Sequence, residues 1–375
     1  MQRGGVHGHL KMKLGYHSSR TQRGVVPSLW RAVTTLRGWM RNPKMIPRAG
    51  QTVKFKSCIH DPATCTRRGL CPVTKLRAQD PFLESHSLYF EQHGTGPVKV
   101  VFITGLNVTS NSWAAQVKYF SRLPQYSILV FDNRGAGNSD TPMGPYSTSA
   151  MAEDAIVLLD FIGWTESRSV HVVGLSLGGM IAQELAYRIP ERFISLSLVV
   201  TTAGGLPIFN IPPWFGLKTL IRLQFVKDPN ERSPFVVDMC FNSSWLDARA
   251  ENDPEGRTNR EVQVVLCDER AAVTRIQKPL GAVSQMWAGF THHVGVKRLA
   301  QVSKAIPKVL ILTGDQDHLV RPSNSAYLSK HMPEAEFVVW KDTGHVRFNT
   351  LLERVFLEGG ARLDESYSDI LYGEV

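Results

Sequence analysis

From about Ser85 to Trp340, short runs rich in β-branched residues alternate with longer stretches of helical period. That alternation restricts the chain to a mostly parallel sheet whose strands are joined by crossover helices. Val98-Lys-Val-Val-Phe-Ile-Thr104 is almost continuously apolar, as a strand covered on both faces must be. Ser87–Glu91, Ser127–Phe131, Ser169–Val173, Ile194–Val200, Lys308–Leu312 and Glu336–Trp340 repeat the theme. Thr148–Phe161 reads as a helix whose stripe includes Met151, Ala155, Ile156, Leu158 and Leu159, and Leu177–Tyr187 reads as another. Between about Ala203 and Leu299 the strands disappear and aromatics rise, among them Phe209, Trp214, Phe215, Phe225, Phe241, Trp245 and Trp287. We therefore expect a helical lid at 203–299 inserted into an α/β core made of residues 81–202 and 300–358. Residues 359–375 read as a loose polar tail.

The formal net charge of +10 raises the question of nucleic acid. Its distribution answers it. Residues 1–80 carry 16 Lys+Arg against two acids, Asp61 and Asp80, a balance of +14 that leaves residues 81–375 at −4. A mildly acidic body offers no phosphate-binding face, so a nucleic-acid partner is not expected. The basicity belongs to residues 1–80, read as a leader with no acid before Asp61. Such Arg-rich, acid-free composition is that of a mitochondrial transit peptide, and Ser28–Trp39 could supply its basic amphipathic helix. The import machinery is then an expected partner. An unstructured basic tail on a cytoplasmic protein is the alternative. No stretch approaches 18 consecutive apolar residues, so no transmembrane segment is expected.

Five cysteines are too few, and odd in number, for a disulfide scaffold. Cys58, Cys65 and Cys71 cluster near His60, but their intervals of seven and six positions do not match tight metal-ligand pairs. They read as ordinary thiols. No metal is expected, and with no H-E-x-x-H and no G-x-x-x-x-G-K-[ST] neither a metalloprotease nor a nucleotide hydrolase has support.

Chemistry concentrates at Gly174-Leu175-Ser176-Leu177-Gly178, which follows one expected strand and opens an expected helix. That is the setting of a nucleophile elbow, whose tight turn needs Gly174 and Gly178 on either side of Ser176. A serine needs a base, and the base needs an orienting acid. Both come later in the chain, in Thr313-Gly-Asp-Gln-Asp-His318 and Asp342-Thr-Gly-His345, each in the loop after a strand. We assign Asp317 as acid and His345 as base, with Asp315 as the competitor for the acid.

Taken together the body resembles the α/β-hydrolase superfamily, in its single-lid esterase and lactonase-like branch, over about residues 85–358. The elbow and the acid and histidine loops carry that resemblance. So does Asp132-Asn-Arg-Gly-Ala-Gly-Asn-Ser139, similar to the family's D-x-R-G-x-G-x-S loop. Thr104-Gly105-Leu106-Asn107 stands where the family usually has His-Gly, so the bonds of that histidine must come from elsewhere. The resemblance implies an oxyanion hole built from the backbone N–H groups of Leu106 and Leu177, and no cofactor. It also implies an apolar acyl substrate held under the lid, cleaved as an ester, thioester or lactone through an acyl-enzyme. An acyltransferase on the same triad, or a silent binding protein on the scaffold, are the alternatives. Epoxide hydrolases and haloalkane dehalogenases are disfavoured, because they use aspartate where this chain has Ser176.

Overall fold

The computed structural model describes residues 58–73, 85–205, 210–223, 225–226, 228–251 and 253–346. The helix expected at 28–39, the tail at 359–375 and the segment after Val346 lie outside the described residues.

In chain order the first elements are β1 (Cys65–Val73), β2 (His86–His93), β3 (Val98–Ile103), α1 (Ala114–Phe120) and β4 (Tyr126–Phe131). Then come α2 (Thr148–Ile162), β5 (Val170–Leu175), α3 (Leu177–Arg188) and β6 (Phe193–Val199). The inserted region holds α4 (Trp214–Leu223), α5 (Pro229–Cys240), α6 (Ser243–Asp247), α7 (Asn259–Val273) and α8 (Pro279–Phe290). It is followed by α9 (Val296–Ala305), β7 (Lys308–Gly314), α10 (Pro322–His331) and β8 (Glu336–Trp340). The eight strands form one sheet in the order β1-β2-β4-β3-β5-β6-β7-β8. Pairing is antiparallel for β1–β2 and β2–β4 and parallel from there to β8.

Period-two alternation explains why both faces are covered. Val101, Ile103, Leu129, Phe131, Leu196, Leu198 and Ile311 enter one apolar cluster with residues of α2, α3, α9 and α10. Their chain neighbours Val100, Phe102, Ile128, Val130, Leu310 and Leu312 enter a second, with Trp113 and the Val117 and Phe120 side chains of α1. Local signals set the helix ends. The Ser147 hydroxyl accepts from the Ala150 N–H to cap α2, which stops at Gly163 in the left-handed region.

Two boundaries differ from the sequence expectation. Residues 65–73, assigned to the leader, are the outer strand of the sheet, paired along β2. Edge strands carry charge and proline because one side meets solvent, and Arg67, Arg68 and Pro72 are exposed while Cys71 and Val73 are buried. Composition therefore disguised a strand as leader. At the other end, α9 straddles the expected lid boundary and lays Leu299 and Val302 into the core. The lid ends before Val296. Among the described residues no helix is long and apolar enough to cross a membrane.

Candidate functional site

The carboxyl ends of the parallel strands carry the chemistry-bearing loops. Between β5 and α3, Ser176 sits at φ 56°, ψ −117°, a strained backbone for a non-glycine residue. Its neighbours explain how the turn holds. A Cβ on Gly178 would stand 2.1 Å from the carbonyl oxygen of Ile103, and one on Gly174 would stand 2.5 Å from that of Gly178. Only glycine admits so close a crossing of elbow and β3. The Ser176 N–H donates to Val199 O at 2.9 Å and its carbonyl accepts from Thr201 Oγ1 at 2.7 Å, so the turn is tied to the end of β6. Ser176 stands at the start of α3, where helix N–H groups favour developing negative charge.

After β7, Asp317 is buried and fully engaged. Its Oδ1 accepts from the N–H groups of Leu319 at 2.7 Å and Val320 at 2.9 Å, and its Oδ2 accepts from His345 Nδ1 at 2.7 Å. Asp315 is exposed and accepts from the Thr343 N–H at 3.2 Å. The structure thus pairs His345 with Asp317 and gives Asp315 a backbone role. The Asp317 bond occupies Nδ1 and leaves Nε2 as the basic nitrogen. Among the described residues no hydrogen bond joins Ser176 Oγ to that ring.

The loop after β3 lies against the elbow, since a Cβ on Gly105 would come 3.4 Å from Ser176 Cβ. Thr104 is buried, and Asn133 Nδ2 donates to its carbonyl at 3.1 Å and its Oγ1 at 3.0 Å. Asn133 therefore ties Thr104, the residue in the histidine's place, to the loop after β4. Nothing in the sequence linked two positions so far apart.

A family model described as the α/β hydrolase fold matches residues 99–348. The chain belongs to the α/β-hydrolase family. The hydrolase is 33% identical over 258 residues to rhodomycin D methylesterase DauP of Streptomyces sp. (strain C5), a match spanning 66% of this chain and 84% of that one. It is 27% identical over 234 residues to a poly(3-hydroxyalkanoate) depolymerase of Ectopseudomonas oleovorans, spanning 62% of this chain and 73% of the relative. Among solved structures it superposes on a thermophilic esterase from Thermogutta terrifontis with a TM-score of 0.58. That alignment covers 78% of this chain and 96% of the esterase at 22% identity, a likeness of fold.

The D-x-R-G-x-G-x-S loop of the hydrolase is a buried polar scaffold. Asp132 Oδ1 accepts from Ser110 N–H at 2.8 Å, and Oδ2 accepts from Asn138 N–H at 2.8 Å. Burial pushes the Asp132 carboxyl up despite those bonds. Arg134 makes a fork on Asp154, 2.6 Å from Nε to Oδ2 and 2.5 Å from Nη2 to Oδ1, with both side chains buried. Burial alone would raise Asp154; Arg134 and His86 more than offset it and hold the carboxyl low.

Burial within the inserted region is uneven. His292 is buried and bonds Thr148 Oγ1 through Nδ1 at 2.8 Å, while its neighbour His293 is exposed. Burial pulls His292 down to about 3. The lid aromatics divide between solvent and packing. Trp214 is 76% and Phe225 79% exposed, and Phe241 stacks on Trp245 inside the lid's own apolar cluster.

On the antiparallel edge the structure gathers groups that sequence spacing kept apart. Ligand-capable atoms of Cys58, Cys65 and Glu91 lie within 4.8 Å of one another. Glu91 is spent, however. Its Oε1 accepts from the Ile59 N–H and the Tyr89 hydroxyl, and its Oε2 from the His60 N–H and His93 Nε2. All four of its lone-pair sites are then used, so a cation would find two thiols only. The cluster pins Ile59 and His60 to the sheet; burial would raise its carboxylate, but the bonds from His93, Tyr89 and the Ile59 N–H, with the charge of His60, hold it down to about 2.

Proposed function

We propose that this hydrolase cleaves a carboxylic ester, thioester or lactone by way of an acyl-enzyme, with Ser176 as nucleophile, His345 as base and Asp317 as orienting acid. The observation that carries the reading is the 2.7 Å bond from His345 Nδ1 to the buried Asp317, made in loops beyond the carboxyl ends of the strands, as is the Ser176 elbow. The methylesterase and depolymerase relatives support an ester-type bond as target.

In this mechanism His345 Nε2 removes the Ser176 proton as Oγ attacks the carbonyl carbon. Asp317 fixes the tautomer and stabilises the imidazolium. The oxyanion is received by the N–H groups of Leu106 and Leu177, and each such donor contributes about 3–4 kcal/mol. Collapse breaks the bond to the leaving group, which takes the proton from His345. Water, deprotonated by the same imidazole, then releases the acid. An apolar acyl group suits a site next to Leu177 and Met180, against which α8 packs at Gly289.

Ser176→Ala tests the reading. Turnover of p-nitrophenyl butyrate and labelling by a fluorophosphonate should both vanish, and a variant that still turns over the ester refutes the nucleophile. Added alcohol separates hydrolysis from acyl transfer through the ratio of acid to new ester. For location we propose a mitochondrial address in residues 1–57, tested by a leader–fluorophore fusion; diffuse cytosolic signal removes it.

A further inference from the structure

The lid helix α8 does more than roof the site. Gln285 on α8 is fully buried, with its Oε1 accepting from the backbone N–H of Asn107 at 2.9 Å and its Nε2 donating to Arg134 O at 2.8 Å. Eight residues earlier, Gln277 Nε2 donates to Asn107 Oδ1 at 3.2 Å and to Gly135 O at 2.9 Å. Both glutamines therefore bridge Asn107 to the loop after β4. Asn107 itself has φ 57°, a left-handed conformation that its neighbours must hold in place. The helix is seated closely enough to do so, since a Cβ on Gly281 would come 2.2 Å from Gly135 O.

We infer that Gln285 and Gln277 are positioning residues through which the docked lid sets the oxyanion loop. The inference rests on the proposed role of the Leu106 N–H. Leu106 and Asn107 share a peptide unit, so fixing the Asn107 N–H fixes the plane that follows Leu106. An amide side chain suits the task because Oε1 and Nε2 satisfy one donor and one acceptor on two different loops. With the lid undocked, Asn107 loses both side-chain partners and its φ is free to relax. The oxyanion hole is then complete only when α8 is seated, which couples lid closure over a substrate to competence for the chemical step. Sequence distance hid this, because Asn107 and Gln285 are 178 positions apart.

The test compares Gln285→Met with the parent in the full chain. A displaced donor should lower kcat/KM for p-nitrophenyl butyrate by about tenfold to a hundredfold, with KM moving less than about threefold. An alkyl trifluoromethyl ketone, whose carbonyl carbon bonds Ser176 Oγ as the proton passes to His345, places an oxyanion in the hole. Its Ki should rise by the same factor as kcat/KM falls, while affinity for the unreactive product acid stays level. A merely structural loss would move both inhibitors together. Unchanged Ki for the ketone in a folded Gln285→Met overturns the inference. If that variant does not fold, the half-buried Gln277→Met decides instead. A loss of about threefold to tenfold in kcat/KM, matched in the ketone Ki, supports the inference, and no change overturns it. Failure of the triad itself would show separately, as turnover surviving Ser176→Ala.

Discussion

His345 Nδ1 donates to Asp317 Oδ2 across 2.7 Å, while Asp315, two residues earlier, points to the backbone of Thr343. The two carboxylates are chemically alike and differ only in what they face. Asp317→Asn would present an amide to the imidazole and favour the wrong tautomer. We expect kcat on p-nitrophenyl butyrate to fall about 10³- to 10⁴-fold in Asp317→Asn. Asp315→Asn should change it less than about threefold, as exposed substitutions generally do. Reversed outcomes would move the acid to Asp315.

The Arg134–Asp154 fork is buried on both sides. Removing one partner leaves the other charge without water or counter-ion. Asp154→Asn should lower unfolding free energy by about 3–5 kcal/mol, read from the urea midpoint. Arg134→Met combined with Asp154→Leu should recover much of that loss, because two buried charges leave together.

Gly178 faces backbone rather than a yielding side chain. In Gly178→Ala the new methyl meets Ile103 O at 2.1 Å and Thr104 O at 2.7 Å. Either the elbow or β3 must retreat. A loss of about 1–3 kcal/mol is expected in thermal or urea unfolding. Esterase activity should fall further than stability, since the retreat separates Ser176 from the oxyanion loop.

The buried histidines make stability depend on pH. His292 is pulled to about 3 and His60 to about 4, chiefly by burial, against an ordinary value of 6.5. Below 6.5 the unfolded chain binds protons that the folded chain refuses, so stability rises with pH through this window and is lost as pH falls from 6.5 toward 3. Urea midpoints at pH 7, 6 and 5 should decline in that order. Each such histidine contributes a slope of up to about 1.4 kcal/mol per pH unit, and His292→Gln should flatten the curve by one such share. A profile identical to the parent's would mean that His292 binds its proton equally well in the folded and the unfolded chain.

How much was readable in advance follows from the kind of signal involved. The expected strands from Val98 to Trp340 all appear, with ends shifted by a residue or two, because a doubly covered strand writes its burial directly into a run of Val, Ile and Leu. Thr148 begins a helix as expected, since a serine cap precedes an apolar stripe. Elbow glycines were legible for the same reason: their spacing is local. What the sequence hid was long-range or masked by composition. β1 looked like leader because its outward side chains are arginines. The bonds from Asn133 to Thr104 and from Gln285 to Asn107 depend on loops meeting in space, and no periodicity announces such a meeting.

The outermost strand also limits how far this polypeptide tolerates shortening from its amino terminus. A cut upstream of Cys58 would leave the β1–β2 ladder whole. A cut at residue 80 would strip β1 from β2 and bare a row of unsatisfied amides, an invitation to stick to another copy. A recombinant version begun at residue 81 should therefore come out of cells as aggregate.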